Sequence, residues 1–178
     1  MGQYYTPIIL MENGEWFRFL SHNYDNGLKL MEHSYQGNNF INVVLNELVD
    51  NPSRLAWVGD YAEISDCKSE IQIDFVNQEK ISEYYNPPMV ENDLPQVYIN
   101  HSKMEYFVLE NVDIVEDNWG CKIHPLPLLT AMGNGYGGGD YRGINQNLCG
   151  IWACDIIEIS NNIPNGYIDI SNDIEFKE

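Results

Sequence analysis

Basic residues are scarce in this chain: nine Lys and Arg stand against 27 Asp and Glu, which gives a formal net charge of −18. Proteins hold nucleic acids chiefly through Lys and Arg contacts to phosphate groups. The shortage therefore argues against direct binding of nucleic acid. It favours a basic protein partner or simple solubility.

Long apolar runs are also missing from the sequence. No segment approaches the roughly 18 consecutive apolar residues that a membrane-spanning helix needs. The first residues lack the basic, apolar and small-residue order of a secretory signal. The sequence therefore predicts no contact with a membrane and a cytoplasmic location.

Motifs that dictate a reaction are absent as well. The sequence contains no HExxH, no GxSxG and no nucleotide-binding GxxxxGK[ST] pattern. Its four histidines are His22, His33, His101 and His124. Their spacing from acids and cysteines selects no catalytic pair. The sequence favours a non-enzymatic role and predicts no catalytic residue and no cofactor.

The chain has four cysteines, Cys67, Cys121, Cys149 and Cys154. In a cytoplasmic protein these are expected to be reduced thiols, most of them in the core. Cys121 and His124 have CxxH spacing and, with Cys149 and Cys154, offer a Cys3His zinc site as one interpretation. A strand through both Cys149 and Cys154 would point them to opposite faces. This geometry favours core thiols, and the sequence predicts no metal.

Length and composition predict one folded domain over 1–178, because 44% of the residues are hydrophobic and can fill a core. Apolar runs and alternating patterns predict strands at 4–10, 16–20, 54–59, 70–76, 96–100, 104–109, 124–130, 150–160 and 167–170. Helical spacing predicts a main helix over 39–50 and a shorter one over 28–34, and prolines predict a long connection over 77–95. The predicted fold class is α+β, with a mainly antiparallel sheet and one principal helix packed on it.

The segment 105–117 is the densest acidic stretch and contains no basic residue. Its acids are Glu105, Glu110, Asp113, Glu116 and Asp117. One interpretation is an ordinary solvated face, because runs of like charge usually face water. The functional interpretation is a partner-binding surface that docks on a groove lined by Lys and Arg.

The segment 133–143 has six glycines in eleven residues and is predicted to be a loop. A ligand-binding interpretation uses exposed backbone N–H groups and an arginine as anion contacts. The residues of that interpretation are Gly137, Gly138, Gly139, Asp140 and Arg142. The structural interpretation is a loop made rigid by its Asp-Tyr-Arg triplet, which the sequence favours because neither nucleotide-binding fingerprint is complete.

Four stretches, 1–5, 24–34, 57–62 and 126–143, together resemble small acidic proteins of Firmicutes and their phages. Some proteins of that group are anti-CRISPR inhibitors of the type II RNA-guided nuclease. The resemblance covers most of the chain and implies a host–virus function in the bacterial cytoplasm. It implies stoichiometric inhibition by binding the guide-loaded effector, whose nucleic-acid channels are basic. It carries no residue-by-residue motif and assigns no binding residue.

The residues and the resemblance together predict an acidic protein-binding inhibitor. The alternative is a nucleotide-binding or nucleotide-processing phage protein that uses loop 133–143. A third interpretation is an accessory domain whose acidity only maintains solubility. Exposed sheet edges also allow a homodimer, whose interface the sequence does not define.

Overall fold

The computed structural model describes residues 1–78, 81, 83–91, 93–113, 116 and 120–177. Within these residues, eight strands form one sheet. The strands are β1 (Tyr5–Leu10), β2 (Trp16–Arg18), β3 (Ser53–Gly59), β4 (Val97–Asn100), β5 (Glu105–Val108), β6 (Ala131–Met132), β7 (Ile156–Ser160) and β8 (Ile168–Asp169). The helices are α1 (Leu30–His33), α2 (Asn39–Asn46), α3 (Glu70–Asn77) and α4 (Pro125–Leu129).

The strands follow the spatial order β2-β1-β3-β7-β4-β5-β8, with β6 attached to β3. The β1–β2, β1–β3, β3–β7, β4–β7 and β4–β5 pairs are antiparallel, whereas β3–β6 and β5–β8 are parallel. The predicted α+β class and the mainly antiparallel sheet are therefore confirmed. Strand β3 is paired along both edges, with β1 on one side and, on the other, with β7 at its start and β6 at its end.

The two faces of the sheet support different packing. Leu55 and Trp57 of β3 point into the main core, which also contains the buried face of α2. The alternate residues Ala56 and Val58 pack on the other face with Phe75 of α3. This division follows from the two-residue period of a strand. Two helices of eight residues, α2 and α3, thus contact the sheet, and length alone does not single out one principal helix.

The prediction of a strand at 70–76 is wrong, because α3 occupies this segment. The Ser69 side chain accepts a hydrogen bond from the Gln72 N–H at 3.4 Å and caps the helix. The Gln72 side chain accepts one from the Lys68 N–H at 2.7 Å. Ser-x-x-Gln is a capping-box pattern, and it outweighs the apolar alternation that favoured a strand.

The prediction of an edge strand at 124–130 is also wrong, because Pro125–Leu129 form α4. Proline suits the first turn of a helix, where its missing N–H would have no helical partner. His124 caps this helix, since its Nδ1 accepts a hydrogen bond from the Leu126 N–H at 3.2 Å. The long strand predicted at 150–160 is shortened to β7, because turn bonds such as Ala153 N–H to Gly150 O shape its first half.

The connection predicted at 77–95 contains no helix or strand beyond the end of α3 in the residues of it that the structure describes. Its prolines limit helical and ladder hydrogen bonding.

Among all described residues, no helix has both the length and the apolar character needed to cross a membrane.

Candidate functional site

Loop 133–143 is organised around the buried carboxylate of Asp140. Its Oδ2 accepts the N–H groups of Gly135 and Gly137 at 2.7 and 2.9 Å. Its Oδ1 accepts the Tyr5 hydroxyl at 3.0 Å and the Gln3 amide at 2.9 Å. A buried carboxylate is costly unless such donors surround it. Asp140 is therefore the point at which the loop is fixed to the N-terminal segment.

The Gln3 side chain extends this network to a third segment. Gln3 is fully buried, and its Nε2 also lies 2.7 Å from the Gly133 carbonyl oxygen. Its Oε1 accepts the Tyr61 N–H at 3.1 Å. We call the group formed by Gln3, Tyr5 and Asp140 the hub. Burial first and the charge of Asp140 second raise the pKa of Tyr5, so this hydroxyl stays protonated and donates to the carboxylate.

The backbone donors of the loop are bonded within the chain. The Gly137 N–H donates to Asp140, and the Gly138 N–H donates to the Met1 carbonyl at 2.9 Å. An anion cradle needs several N–H groups that point at the ligand. Two of the donors on which the ligand-binding interpretation depends are therefore used within the chain, one by the loop's own carboxylate and one by the N-terminal segment.

The other residues of that interpretation also have structural contacts. Arg142 Nη2 donates to the Gly137 carbonyl at 3.1 Å across the loop. The Gly139 carbonyl accepts the Met31 N–H at 3.0 Å, and Gly139 has a φ of +86°, where glycine is favoured. The geometry thus agrees with a loop stiffened by its own side chains.

Exposed acidic and large apolar side chains lie on the segments that meet at the hub. We call this group the hub surface: Tyr4, Asp60, Glu63, Ile64, Asp66 and Tyr136. Tyr4, Ile64 and Tyr136 are 49%, 50% and 55% exposed, which is high for such large side chains. The three acids and Ile64 come from the single segment 60–66, whereas Tyr4 and Tyr136 come from the two segments that the hub joins.

Contacts join the segments that carry these side chains. The Tyr4 N–H donates to Asp60 Oδ1 at 3.0 Å, and the Asp60 N–H donates to the Tyr4 carbonyl at 2.9 Å. The Tyr136 hydroxyl lies near the Asp66 carboxylate, and the interaction with Asp66 first, with the charge of Glu63 as a smaller cause, raises the pKa of Tyr136. The contacts place the tip of the Gly-rich loop against the acidic turn after β3.

The predicted acidic segment 105–117 is less available than its sequence implies. Glu105 is half-buried and accepts the Trp152 indole N–H at 2.6 Å. Glu116 lies 3.7 Å from the ammonium of Lys122.

The remaining acids of this segment differ in their surroundings. Asp113 lies 4.0 Å from the Lys177 ammonium. Glu110 is exposed on the turn after β5. Asp117 lies outside the described residues. Nearby lysines thus offset part of the negative charge of this segment. The hydrogen bond of Glu105 further reduces the number of acids that are available for docking.

The cysteines and His124 do not share a metal site. Across the described part of the chain, no group of three or more His, Cys, Asp and Glu side chains is arranged to hold a metal ion. Both ring nitrogens of His124 are engaged, Nδ1 by the Leu126 N–H and Nε2 by the Tyr98 hydroxyl. The four cysteines, all of them described, form no disulfide, and Cys154 is buried 3.7 Å from the Met132 sulfur.

His33 and His124 are both structural histidines of the core. His33 is buried, accepts the Trp57 indole N–H at 3.1 Å and donates to the Gly27 carbonyl at 2.9 Å. Burial lowers the pKa of His33 to about 4 and that of His124 to about 3. Both rings are therefore neutral supports of the core at neutral pH.

His101 forms the contact that sequence reasoning missed. Its Nε2 donates to Glu158 at 2.6 Å, and its Nδ1 lies at hydrogen-bond distance, 2.8 Å, from the Tyr167 hydroxyl. The partners are 57 and 66 positions away, so only the pairing of β4 with β7 brings Glu158 near. The His101 ring lines a cavity of about 480 Å³ at one end of β1, β3 and β7.

Comparison with known proteins gives no relative from which a role can be transferred. No protein-family model, no curated protein and no solved structure matches this chain.

Proposed function

We propose that this protein is an inhibitor that binds a basic protein surface, and that the hub surface is its main contact. The observation that carries the proposal is the assembly of exposed Tyr4, Ile64 and Tyr136 beside three acids on a rigid base. Aromatic side chains supply most of the energy of many protein interfaces. Acids beside them select a partner rich in Lys and Arg.

The charge distribution supports the sign of the partner. Lys29, Lys103, Lys122 and Lys177 each form an ion pair with an acid of the same chain. Internal ion pairs therefore occupy these lysines, and the net charge of −18 is left for counterions or a partner to neutralise. A basic partner surface would reduce the repulsion among the acids of this protein, and salt would weaken the attraction between the two proteins.

The rigidity of the hub supports the same proposal. A surface loop of glycine-rich sequence loses conformational entropy when it binds. Here Asp140 has already fixed the loop through its contacts with Gly135 and Gly137. Tyr136 lies between these two glycines, so its position is defined before a partner arrives. Preorganisation of this kind reduces the cost of association.

The partner that the sequence resemblance implies is a guide-loaded type II nuclease in a bacterial host cell. Its channels hold nucleic-acid backbones and are positively charged, which complements the acids of the hub surface. The inhibitor would act by occupying such a channel stoichiometrically. No cofactor and no direct contact with nucleic acid is required for this mode of action.

The test is cleavage of a matched DNA target by a guide-loaded type II nuclease, with and without excess protein, over a range of salt. We expect cleavage to fall at low salt and to recover as salt rises, because screening weakens charge complementarity. The protein should also co-elute with the nuclease in size-exclusion chromatography. Undiminished cleavage by several such nucleases, without co-elution, would contradict the proposed partner.

A second candidate function finds less support. Nucleotide binding by loop 133–143 requires free backbone donors, and those of Gly135, Gly137 and Gly138 are used internally. Thermal stabilisation by a nucleotide, abolished in Arg142→Ala, would favour that function over the proposed one.

A further inference from the structure

We propose that the cavity beside β1, β3 and β7 binds a small molecule with an apolar body and one carboxylate group. The cavity measures about 480 Å³, within the usual range for small-molecule sites. Its walls include Leu10, Met11, Pro52, Arg54, His101 and Ile156. This site is separate from the hub surface and independent of the function proposed above.

Sheet register explains why a charged side chain lies between apolar ones. Arg54 is paired with Leu10 on β1 and with Ile156 on β7. Residues paired across neighbouring strands point to the same face. The Arg54 side chain is therefore flanked by two aliphatic side chains, with Met11 and Pro52 completing the apolar wall. An apolar ligand body fits between them.

The guanidinium of Arg54 keeps hydrogen-bond donors available for an anion. Its Nη1 donates to the Cys154 carbonyl at 2.9 Å, which fixes the half-buried side chain and uses only part of its donor capacity. Among the described residues, no carboxylate forms an ion pair with Arg54. In a chain of net charge −18, an arginine in this state is well suited to a ligand carboxylate.

The other polar groups at and near the cavity argue against a cationic ligand. Glu158, which lies behind the cavity wall, is bonded to His101 at 2.6 Å, so its carboxylate is already engaged. Both His101 nitrogens are used, and the ring acts as a fixed wall. Glu12 is exposed and lies at the rim. Arg54 is therefore the charged group around which a ligand would be oriented.

Octanoate, octylammonium and 1-octanol are matched probes because they share a chain and differ in head group. We expect octanoate to raise the melting temperature and to shift the backbone amide NMR signals of 10–12, 53–55 and 156. At equal concentration, octylammonium should produce neither effect, and octanol should bind more weakly than octanoate. Equal or tighter binding of octylammonium, or no response to octanoate, would overturn the proposal.

A substitution tests whether Arg54 contacts the head group of the ligand. Arg54→Gln should weaken octanoate binding by at least about tenfold, because charged hydrogen bonds are lost. Arg142→Gln, in the Gly-rich loop, is the matched control and should leave the affinity unchanged. Unchanged affinity in Arg54→Gln would overturn the proposal.

A second variant avoids the risk that Arg54→Gln fails to fold. Glu12→Gln removes an exposed negative charge from the rim. It should strengthen octanoate binding about twofold, because a like charge is removed at a screened distance. Weaker or unchanged binding in this variant would contradict an anionic ligand at this cavity.

Discussion

Asp140 Oδ1 lies 2.9 Å from Gln3 Nε2, although the two residues are 137 positions apart in the sequence. This contact closes the chain on itself, because it joins the segment before β1 to the loop after β6. Both side chains are buried, so the bond has no competition from water. The exposed tip of the loop is thereby held at a fixed place above a buried polar centre.

Replacement of Asp140 by Asn should destabilise the protein by roughly 2–4 kcal/mol, because an amide N–H group would face donors that now meet a carboxylate. The free energy of unfolding, obtained from urea titration, measures the effect. Asp173→Asn is the control, since Asp173 is exposed, and should change stability by less than about 0.5 kcal/mol. A similar small loss for both variants would show that the hub is not a stabilising centre.

Substitution of alanine for two adjacent glycines of the loop should change the stability of the protein by different amounts. A Cβ at position 137 would lie 2.8 Å from the Gln3 backbone nitrogen and still closer to the Gln3 Cβ, whereas one at position 138 would come no nearer than 3.4 Å to any atom. Neither glycine has a positive φ. Gly137→Ala should therefore cost about 1–3 kcal/mol and Gly138→Ala less than about 1 kcal/mol. Thermal unfolding of both variants measures this, and equal losses would contradict the close approach of Gln3.

Stability should fall as pH decreases from about 6.5 to 4, because burial lowers the pKa of His33 to about 4 and of His124 to about 3. The ordinary value is about 6.5, so the unfolded chain binds protons that the folded chain excludes throughout this window. Stability is thus greatest above the unfolded pKa and is lost as pH falls toward the folded one.

Urea midpoints at pH 7, 5.5 and 4.5 test this dependence. The titrations belong in high salt, which screens the opposing relief of acidic repulsion. The decline should be shallower in His33→Gln, which removes one of the two rings. A midpoint that stays constant between pH 6.5 and 4.5 would contradict two neutral histidines in the core.

The sequence predicted much of the sheet because β-strand patterns are local. Apolar runs at 4–10 and 54–59 correctly placed β1 and β3. The pattern at 70–76 misled, because apolar alternation also matches a helix that buries Phe75 and leaves other positions partly exposed. The cap at Ser69 was the local signal that distinguished the two.

The candidate site could be predicted only in part. Six glycines in 133–143 correctly indicated a loop, and the triplet at its end indicated internal stiffening. The partner of Asp140 could not be found, since contacts with Gln3 and Tyr5 depend on tertiary pairing rather than spacing. The same applies in part to the acidic segment 105–117, because Lys177 comes from a distant part of the chain, whereas Lys122 follows the segment closely.

Charge reversal on the hub surface should weaken partner binding more than the same change elsewhere. Glu63→Arg with Asp66→Arg places two positive charges beside Tyr136, where repulsion from a basic partner is direct. The double variant Glu110→Arg with Asp113→Arg makes the same change in net charge, but within segment 105–117. Comparison of the two double variants therefore separates a local contact from a general effect of acidity.

The most direct measurement is the affinity of the wild type and both double variants for guide-loaded type II nuclease, by calorimetric titration at fixed low salt. Binding through the hub surface predicts at least about a hundredfold loss for Glu63→Arg/Asp66→Arg and less than about a fivefold loss for Glu110→Arg/Asp113→Arg. Equal losses in the two variants, or a larger loss in the second, would contradict binding through the hub surface.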